Sequence, residues 1–238
     1  MTSTPAPRRT GRLTAIAGLT TIAVFLAEIA TWGNPQHADP ASRLRDLFAV
    51  HHAQASASLT LAALSIIPLL VFTAGLTTLT RRDGGKDTWS TVLTAAAAVF
   101  AAAQIIFAAL SGALVAAAPV ATNHELMLLL GPLTYLDGAR FMPFAVMTAA
   151  ASLLVLRTAP FRRWIGLAGL ASAACNLIGQ LSLFDFTGNS PVSNLGAASQ
   201  LGLLLFFIWT IAIAVTLLKT KTAAPAAADA TPVSIGSR

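Results

Sequence analysis

The stretch that decides the fold is residues 88–123, TWSTVLTAAAAVFAAAQIIFAALSGALVAAAPVATN, which holds 36 residues and no charged side chain. A helix needs about 20 apolar residues to cross the roughly 30 Å hydrocarbon core of a bilayer. This stretch is therefore long enough to span a membrane once and to continue beyond it. A soluble domain would place charged residues in so long a run, because its surface must be wetted.

Five further runs of low charge divide the rest of the chain. Together with the first stretch they predict spans at 13–32, 55–80, 88–112, 134–156, 164–184 and 195–218. We expect helices because lipid offers no partner to an unpaired backbone N–H or C=O group, and no alternating pattern indicates a β-barrel. The sequence thus predicts an all-α polytopic membrane protein. Its six transmembrane helices would form one bundle over 13–218, with disordered tails at 1–12 and 219–238.

Composition supports a chain embedded in lipid and limits the function classes. Hydrophobic residues make up 55% of the 238 residues and charged residues 10%, against roughly 25% charged in a soluble domain. The single cysteine, Cys175, excludes an intramolecular disulfide and a cysteine-rich zinc site. The sequence contains no phosphate-binding loop, serine-hydrolase elbow or dinucleotide fingerprint, so it favours a protein that is not an enzyme and has no cofactor.

The lysines and arginines predict the orientation of the bundle. One set of loops and tails carries a net charge of +9 and the opposite set −3, which together give the total of +6. The basic residues of the first set are Arg8, Arg9, Arg12, Arg81, Arg82, Lys86, Arg157, Arg162, Arg163, Lys219, Lys221 and Arg238. Because basic loops stay inside, both termini are expected in the cytoplasm of a bacterium, with the bundle in its plasma membrane. The basic residues therefore indicate the membrane topology of the bundle, and we expect no nucleic acid as a partner. The expected partners are the lipid bilayer and either a second copy or another membrane protein.

Residues 119–133 leave two alternatives open. Gly131 and Pro132 are expected to break a straight helix at this point. The segment then either forms a short interfacial helix or extends the fourth span as a kinked helix.

Three stretches carry a resemblance to a known group of proteins. They are RDLFAVHH at 45–52, LGPLTYLD at 130–137 and RTAPFRRWIGLAG at 157–169. In layout the chain resembles uncharacterised six-helix membrane proteins of actinobacteria, which are related to a bacterial membrane family of unknown function. The resemblance spans roughly residues 10–220, and it implies an integral role in the bacterial plasma membrane.

Polar side chains within the predicted spans are concentrated towards the outer face. The candidate site residues there are Glu28, Gln104, Asp137, Arg140, Asn176 and Gln180, and Gln200 lies in the outer third of the last span. The inner halves carry only hydroxyls such as Thr148 and Ser152, which can bond to their own helix backbone. This asymmetry predicts an outward-facing polar vestibule with an apolar floor, and a binding, sensing or accessory role. A permease for a small or apolar solute is the alternative, although most permeases need polar groups across the whole bundle.

Within this vestibule we expect Glu28 to face Arg140. Each would be costly to bury alone, and an opposite charge lowers that cost. Asp137 competes for the same guanidinium, since the two lie three residues apart on one helix face. An Asp137–Arg140 pair without any functional role is the simpler alternative.

A metal-dependent membrane enzyme is the second alternative function. His51, His52, His124 and Glu125 all lie on the outer side, and two histidines with a carboxylate suit zinc or non-haem iron. No metal-binding spacing supports this site, and hydrated histidines at the membrane surface explain the residues more simply.

The charge asymmetry makes a topology prediction. Reporter fusions after Arg82 and Arg163 should report a cytoplasmic location, and fusions within 33–50 and 186–194 an external one. Paired alkaline phosphatase and fluorescent-protein fusions measure this directly. An external Arg163 would contradict the orientation.

Overall fold

In a computed structural model the described part of the chain is almost entirely helical, with no strand in it. The structure describes residues 7–31, 45, 48, 51–80, 87–158, 161–181 and 196–219. Eight helices lie within these ranges. They are α1 (Pro7–Thr31), α2 (His52–Leu64), α3 (Ile66–Thr80), α4 (Thr88–Ala117), α5 (Asn123–Ala139), α6 (Phe141–Leu156), α7 (Arg163–Gln180) and α8 (Gly196–Lys219).

Two pairs of these helices form bent rods. Only Ser65 separates α2 from α3, and only Arg140 separates α5 from α6. Each bend lies three residues before a proline, Pro68 or Pro143. Proline has no N–H to donate, and its ring clashes with the carbonyl four residues earlier, so the helix breaks there. The eight helices therefore make six rods.

The six rods form a closed ring in chain order. α1 packs on α2 and α3, the α2–α3 rod on α4, α4 on α6, α6 on α7, α7 on α8, and α8 returns to α1. Neighbours run antiparallel: a Cβ added to Gly11 would approach Leu217, and one added to Gly18 would contact Thr210. The start of α1 and the end of α8 consequently lie at the same end of the ring.

Basic side chains mark that end of the ring. Among the described residues, Arg9, Arg12, Arg157, Arg162, Arg163 and Lys219 lie there. We call it the basic end and the opposite one the far end. The grouping of these residues, predicted from the charge pattern, agrees with the fold.

The distribution of side chains is that of a bundle surrounded by lipid. Large apolar side chains such as Leu13, Ile67, Ile105 and Leu204 are exposed on the outside of the ring, whereas polar ones such as Gln104 are fully buried. Five helical stretches in the described chain are long and apolar enough to cross a membrane: Arg9–Thr31, His52–Thr80, Thr88–Ala117, Asn123–Leu156 and Ala197–Lys219. The fold is therefore an all-α membrane bundle.

The fifth predicted span, 164–184, corresponds to α7, which is shorter and more polar than the others. It has 18 residues, with three glycines and the amides Asn176 and Gln180 among its buried positions. It packs between α6 and α8 along its length, since Gly166 contacts Leu156 and Gly179 contacts Ser199. Close packing on two apolar neighbours explains how this helix tolerates a polar face. The rest of its predicted span, 182–184, lies outside the described residues.

Several element boundaries differ from the predicted ones. α1 begins at Pro7, so residues 7–12 are helical, and α4 continues five residues past the predicted end at 112. The predicted tails at 1–6 and 220–238, and most of the external segments 33–50 and 186–194, lie outside the described residues.

The prediction that Gly131 and Pro132 break the helix is wrong. α5 runs unbroken through Pro132, and the bend lies at Arg140. The ring of Pro132 is on the exposed side, while Leu130 and Leu133 are buried on the other and hold the segment in place. Residues 123–139 therefore extend the fourth span as a bent rod, which is the second of the two alternatives.

The α2–α3 rod, α4 and the α5–α6 rod form a second apolar core at the far end. Its central side chains are Phe48, Phe107, Leu114, Leu126 and Leu130, and we call this group the outer cluster. The main core lies nearer the basic end and is contributed by all six rods. Two separate cores imply an interruption between them, and the polar residues lie at that depth.

Small residues set the distance between helices, which leads to a stability prediction. A Cβ on Gly179 would lie 2.6 Å from the backbone nitrogen of Ser199, whereas one on Gly112 would lie 4.0 Å from Leu59, an ordinary contact. Gly179→Ala should lower the free energy of unfolding by about 1–3 kcal/mol, because the backbone of α8 must move. Gly112→Ala is the matched control and should be neutral or stabilising by up to about 1 kcal/mol, since alanine favours helix. Unfolding in mixed detergent measures both, and equal effects would contradict the packing argument.

Candidate functional site

The six predicted site residues are arranged in one layer across the bundle. Glu28 lies 16 residues beyond Arg12, Gln104 16 beyond Thr88, and Arg140 17 before Arg157. At 1.5 Å per residue these positions are about 24–26 Å from the basic end. Asp137, Asn176 and Gln180 lie within about two turns of the same depth. We call these six residues the polar layer.

The guanidinium of Arg140 is at the centre of the polar layer. Its Nη1 donates a hydrogen bond to Oε1 of Gln104, and its Nε donates to the backbone carbonyl of Asp137 at 3.3 Å. Its Nη2 lies 2.6 Å from the Asp137 carboxylate, and only 11% of the side chain is exposed. The Phe107 ring of the outer cluster covers the guanidinium, with 3.9 Å between its carbon and the ring centroid. The cation is thus held by three acceptor oxygens, on Gln104 and Asp137, and by an aromatic face.

Gln104 connects this cation to the bend between α2 and α3. The side chain is fully buried, and its Nε2 donates to the carbonyl of Ala62 at 3.5 Å. The same carbonyl accepts from the Ser65 hydroxyl at 2.7 Å. One buried amide therefore links Arg140, at the other bend, to the backbone beside the first bend.

Glu28 faces the polar layer from the opposite side of the ring. It is 9% exposed, and its Oε2 is buried without a hydrogen-bond partner in the described part of the chain. The charges of Arg140 and Asp137 both act on it. The ion pair of Arg140, however, is with Asp137. Asp137 has the advantage because it is on the same rod, three residues away, whereas Glu28 must reach across the ring.

Asn176 and Gln180 lie between α7 and α8, and their contacts are separate from those of Arg140. Asn176 Nδ2 donates to the Ser172 carbonyl at 2.9 Å, and Gln180 Nε2 donates to the Ser199 hydroxyl at 3.3 Å. Ser172 in turn donates to the Gly202 carbonyl at 2.7 Å. The amide oxygens, Asn176 Oδ1 and Gln180 Oε1, are buried without a partner in the described chain. Each amide thus donates one hydrogen bond, while its oxygen has no partner in the described chain.

A continuous set of aromatic rings lies directly beneath the polar layer, towards the basic end. The successive ring centroids are 5.2 Å apart for Phe100–Phe144, 4.6 Å for Phe144–Phe206, 6.2 Å for Phe206–Phe207 and 6.4 Å for Phe207–Phe25. Trp209 contacts Phe206 and Phe72. We call this set the aromatic floor. It agrees with the predicted apolar floor, and every rod except α7 contributes to it.

The polar layer and the aromatic floor are in register on the three rods that carry residues of both, α1, α4 and the α5–α6 rod. Glu28 follows Phe25 by three residues, Gln104 follows Phe100 by four, and Arg140 precedes Phe144 by four. Residues three or four apart occupy the same face of a helix. Each polar side chain is thus stacked one turn above a ring of the floor, facing the interior of the bundle.

Below the floor, the buried hydroxyls of Thr148, Ser152 and Thr21 bond to their own helix, whereas the Thr210 hydroxyl has no hydrogen-bond partner in the described chain. Thr148 donates to the Phe144 carbonyl at 2.9 Å, Ser152 to the Thr148 carbonyl at 2.7 Å and Thr21 to the Ala17 carbonyl at 2.9 Å. The sequence predicted this behaviour for Thr148 and Ser152. These hydroxyls offer no set of groups that could replace the hydration of an ion.

The structure does not assemble the alternative metal site. His51, His52, His124 and Glu125 are exposed, and no three His, Cys, Asp or Glu side chains are close enough to hold a metal among the described residues. Glu125 has another role: its Oε2 accepts from the Thr122 backbone N–H at 2.7 Å, and the Thr122 hydroxyl accepts from the Glu125 N–H at 3.3 Å. This is a capping box that begins α5.

Sequence reasoning missed the aromatic floor and the serine partners. Ser58 donates to the Glu28 carbonyl at 3.2 Å, and Ser199 and Gly202 complete the contacts of the α7 amides. A usable signal for the floor was present, because a phenylalanine lies one turn from Glu28, Gln104 and Arg140. The serines carried no such signal, since their partners are on other helices.

Comparison with known proteins adds no relative, since no protein-family model, curated protein or solved structure matches the chain.

The contacts of Arg140 predict unequal effects for two substitutions. Arg140→Ala leaves Asp137 and Gln104 without their partner and should lower the free energy of unfolding by about 2–4 kcal/mol. Glu28 is not the ion-pair partner of Arg140, and glutamine keeps the shape of its side chain. Glu28→Gln should therefore change the free energy of unfolding by about 1 kcal/mol or less. Unfolding of both variants in the same mixed detergent measures the difference. A larger loss for Glu28→Gln would show that Glu28, not Asp137, is the important partner.

Proposed function

We propose that this chain is an integral plasma-membrane protein of a bacterium, with its basic end in the cytoplasm and a polar binding chamber near the outer face. The chamber is the space that the polar layer lines above the aromatic floor. Its role is to bind or sense a solute from outside, alone or as an accessory to another membrane protein. The observation that carries this proposal is the set of buried, unpartnered acceptors in the polar layer.

Unpartnered buried acceptors are costly, and the cost argues for a function. Burying a polar group without a hydrogen bond lowers the free energy of unfolding by about 1–3 kcal/mol. Three such oxygens, on Glu28, Asn176 and Gln180, occur at one depth in the bundle. A purely structural core would favour apolar side chains at these positions, whereas a binding site needs groups that its ligand can satisfy.

The permease alternative needs a route that continues to the basic end. Below the floor, however, the described buried hydroxyls of Thr21, Thr148 and Ser152 bond to their own backbone. The aromatic rings also close the centre of the bundle at that depth. These contacts support a chamber with a single entrance, so we favour binding over transport.

Cysteine accessibility tests the chamber. In a Cys175→Ala background, Asp137→Cys should react with a membrane-impermeant trimethylammonium thiosulfonate added to intact cells, because 41% of the Asp137 side chain is exposed. Ser152→Cys lies beneath the floor, is fully buried and should not react. The extent to which the thiosulfonate blocks later labelling by a fluorescent maleimide measures the reactivity of both cysteines.

For each of the two cysteine variants, one labelling result would contradict the proposal. An unreactive Asp137→Cys would show that the polar layer has no access from the outer side. A Ser152→Cys that reacts as fast as Asp137→Cys would show a route through the floor, and would favour the permease. Glu125→Cys, at an exposed position on the same end, is the positive control for reagent access.

A further inference from the structure

The polar layer has an excess of acceptors over donors. Apart from Asp137 Oδ1, which pairs with Arg140, its buried atoms without a described partner are Glu28 Oε2, Asn176 Oδ1 and Gln180 Oε1. All three accept hydrogen bonds and none donates. The layer also holds two carboxylates, Glu28 and Asp137, against one guanidinium. A ligand that complements it must donate hydrogen bonds and carry positive charge.

Asn176 on α7 and Glu28 on α1 both lie one turn above rings of the aromatic floor. Asn176 occupies the position that a side chain of Gly202 would fill, since a Cβ there would lie 2.5 Å from Asn176 Nδ2. Gly202 precedes Phe206 by four residues, so Asn176 lies one turn above Phe206. Glu28 lies one turn above Phe25, whose ring joins Phe206 through Phe207. The two groups are therefore stacked over connected rings of one floor.

The chemistry of these groups matches a protonated amine better than other ligands. An ammonium group has three N–H donors, equal in number to the unpartnered oxygens. Aromatic rings beneath a carboxylate also favour an organic cation, through the attraction between the cation and the ring faces. A dehydrated metal ion needs more oxygens, typically about six. An anion would have to compete with Asp137 and Gln104 for Arg140, because each of its three nitrogens already has an acceptor.

We infer that the chamber binds a primary ammonium group, placed between the Glu28 carboxylate and the amide oxygens of Asn176 and Gln180, above the aromatic floor. This inference rests on the proposed function and specifies its ligand class. The methylene chain of such an amine would contact the rings, and its ammonium would satisfy the orphan acceptors.

Binding of radiolabelled propylammonium to the purified full chain in detergent tests the inference. Saturable binding is expected, with displacement by unlabelled propylammonium but not by equal concentrations of tetramethylammonium or sodium. Tetramethylammonium has the same charge and no N–H donor, so it separates hydrogen bonding from charge. Glu28→Gln should weaken binding at least tenfold. Glu125→Gln should change it less than twofold, because it removes an equal charge from the same end and glutamine can keep the capping box.

The other outcomes separate the ligand class from the chamber itself. Equal displacement by sodium would indicate an inorganic cation site and overturn the amine. Saturable binding of radiolabelled propionate, unaffected by Glu28→Gln, would overturn the cationic ligand and leave the chamber standing. Absence of propylammonium binding, with Asp137→Cys still accessible, would refute the ligand class alone. If Glu28→Gln elutes as aggregate in gel filtration, the displacement series on the unmodified chain still decides the question.

Discussion

A guanidinium that cannot lose its charge must be satisfied inside a membrane bundle, and the far half of the structure depends on this constraint. Arg140 meets it with the Asp137 carboxylate on its own rod, the Gln104 amide on α4 and the Phe107 ring of the outer cluster. Gln104 then extends the network to the backbone of the α2–α3 rod at Ala62. Three rods are thereby held in one rotational setting, which positions their other buried side chains.

The polar layer also separates two apolar cores. The outer cluster lies beyond it, and the main core begins beneath it with the aromatic floor. Both rod bends, at Ser65 and Arg140, fall near this boundary, each three residues before a proline. Polar side chains bond to the backbone close to each bend, Gln104 and Ser65 to the Ala62 carbonyl and Arg140 to the Asp137 carbonyl. Bends and polar residues thus lie at a similar depth in the bundle.

This arrangement explains why binding fits the bundle better than passage. Above the floor, acceptor oxygens of Glu28, Asn176 and Gln180 are buried without a hydrogen-bond partner in the described part of the chain. Below it, hydroxyls such as those of Thr148 and Ser152 are engaged by their own helices. A solute would therefore find complementary groups on one side of the rings only. The excess of acceptors in turn limits the ligand to one that donates hydrogen bonds.

The sequence by itself determined the fold class, the approximate spans, the grouping of basic residues and the depth of all six polar-layer residues. These properties follow from the cost of charged and polar groups in lipid, which each segment meets separately and which can be counted along the chain. Only the tertiary structure decided that Arg140 pairs with Asp137 while Glu28 Oε2 has no hydrogen-bond partner among the described residues, that α5 continues through Pro132, and that the phenylalanines join into a floor. Those outcomes depend on the rotation and register of helices distant in sequence, and the helical period of one segment carries no information about the face that its neighbour presents.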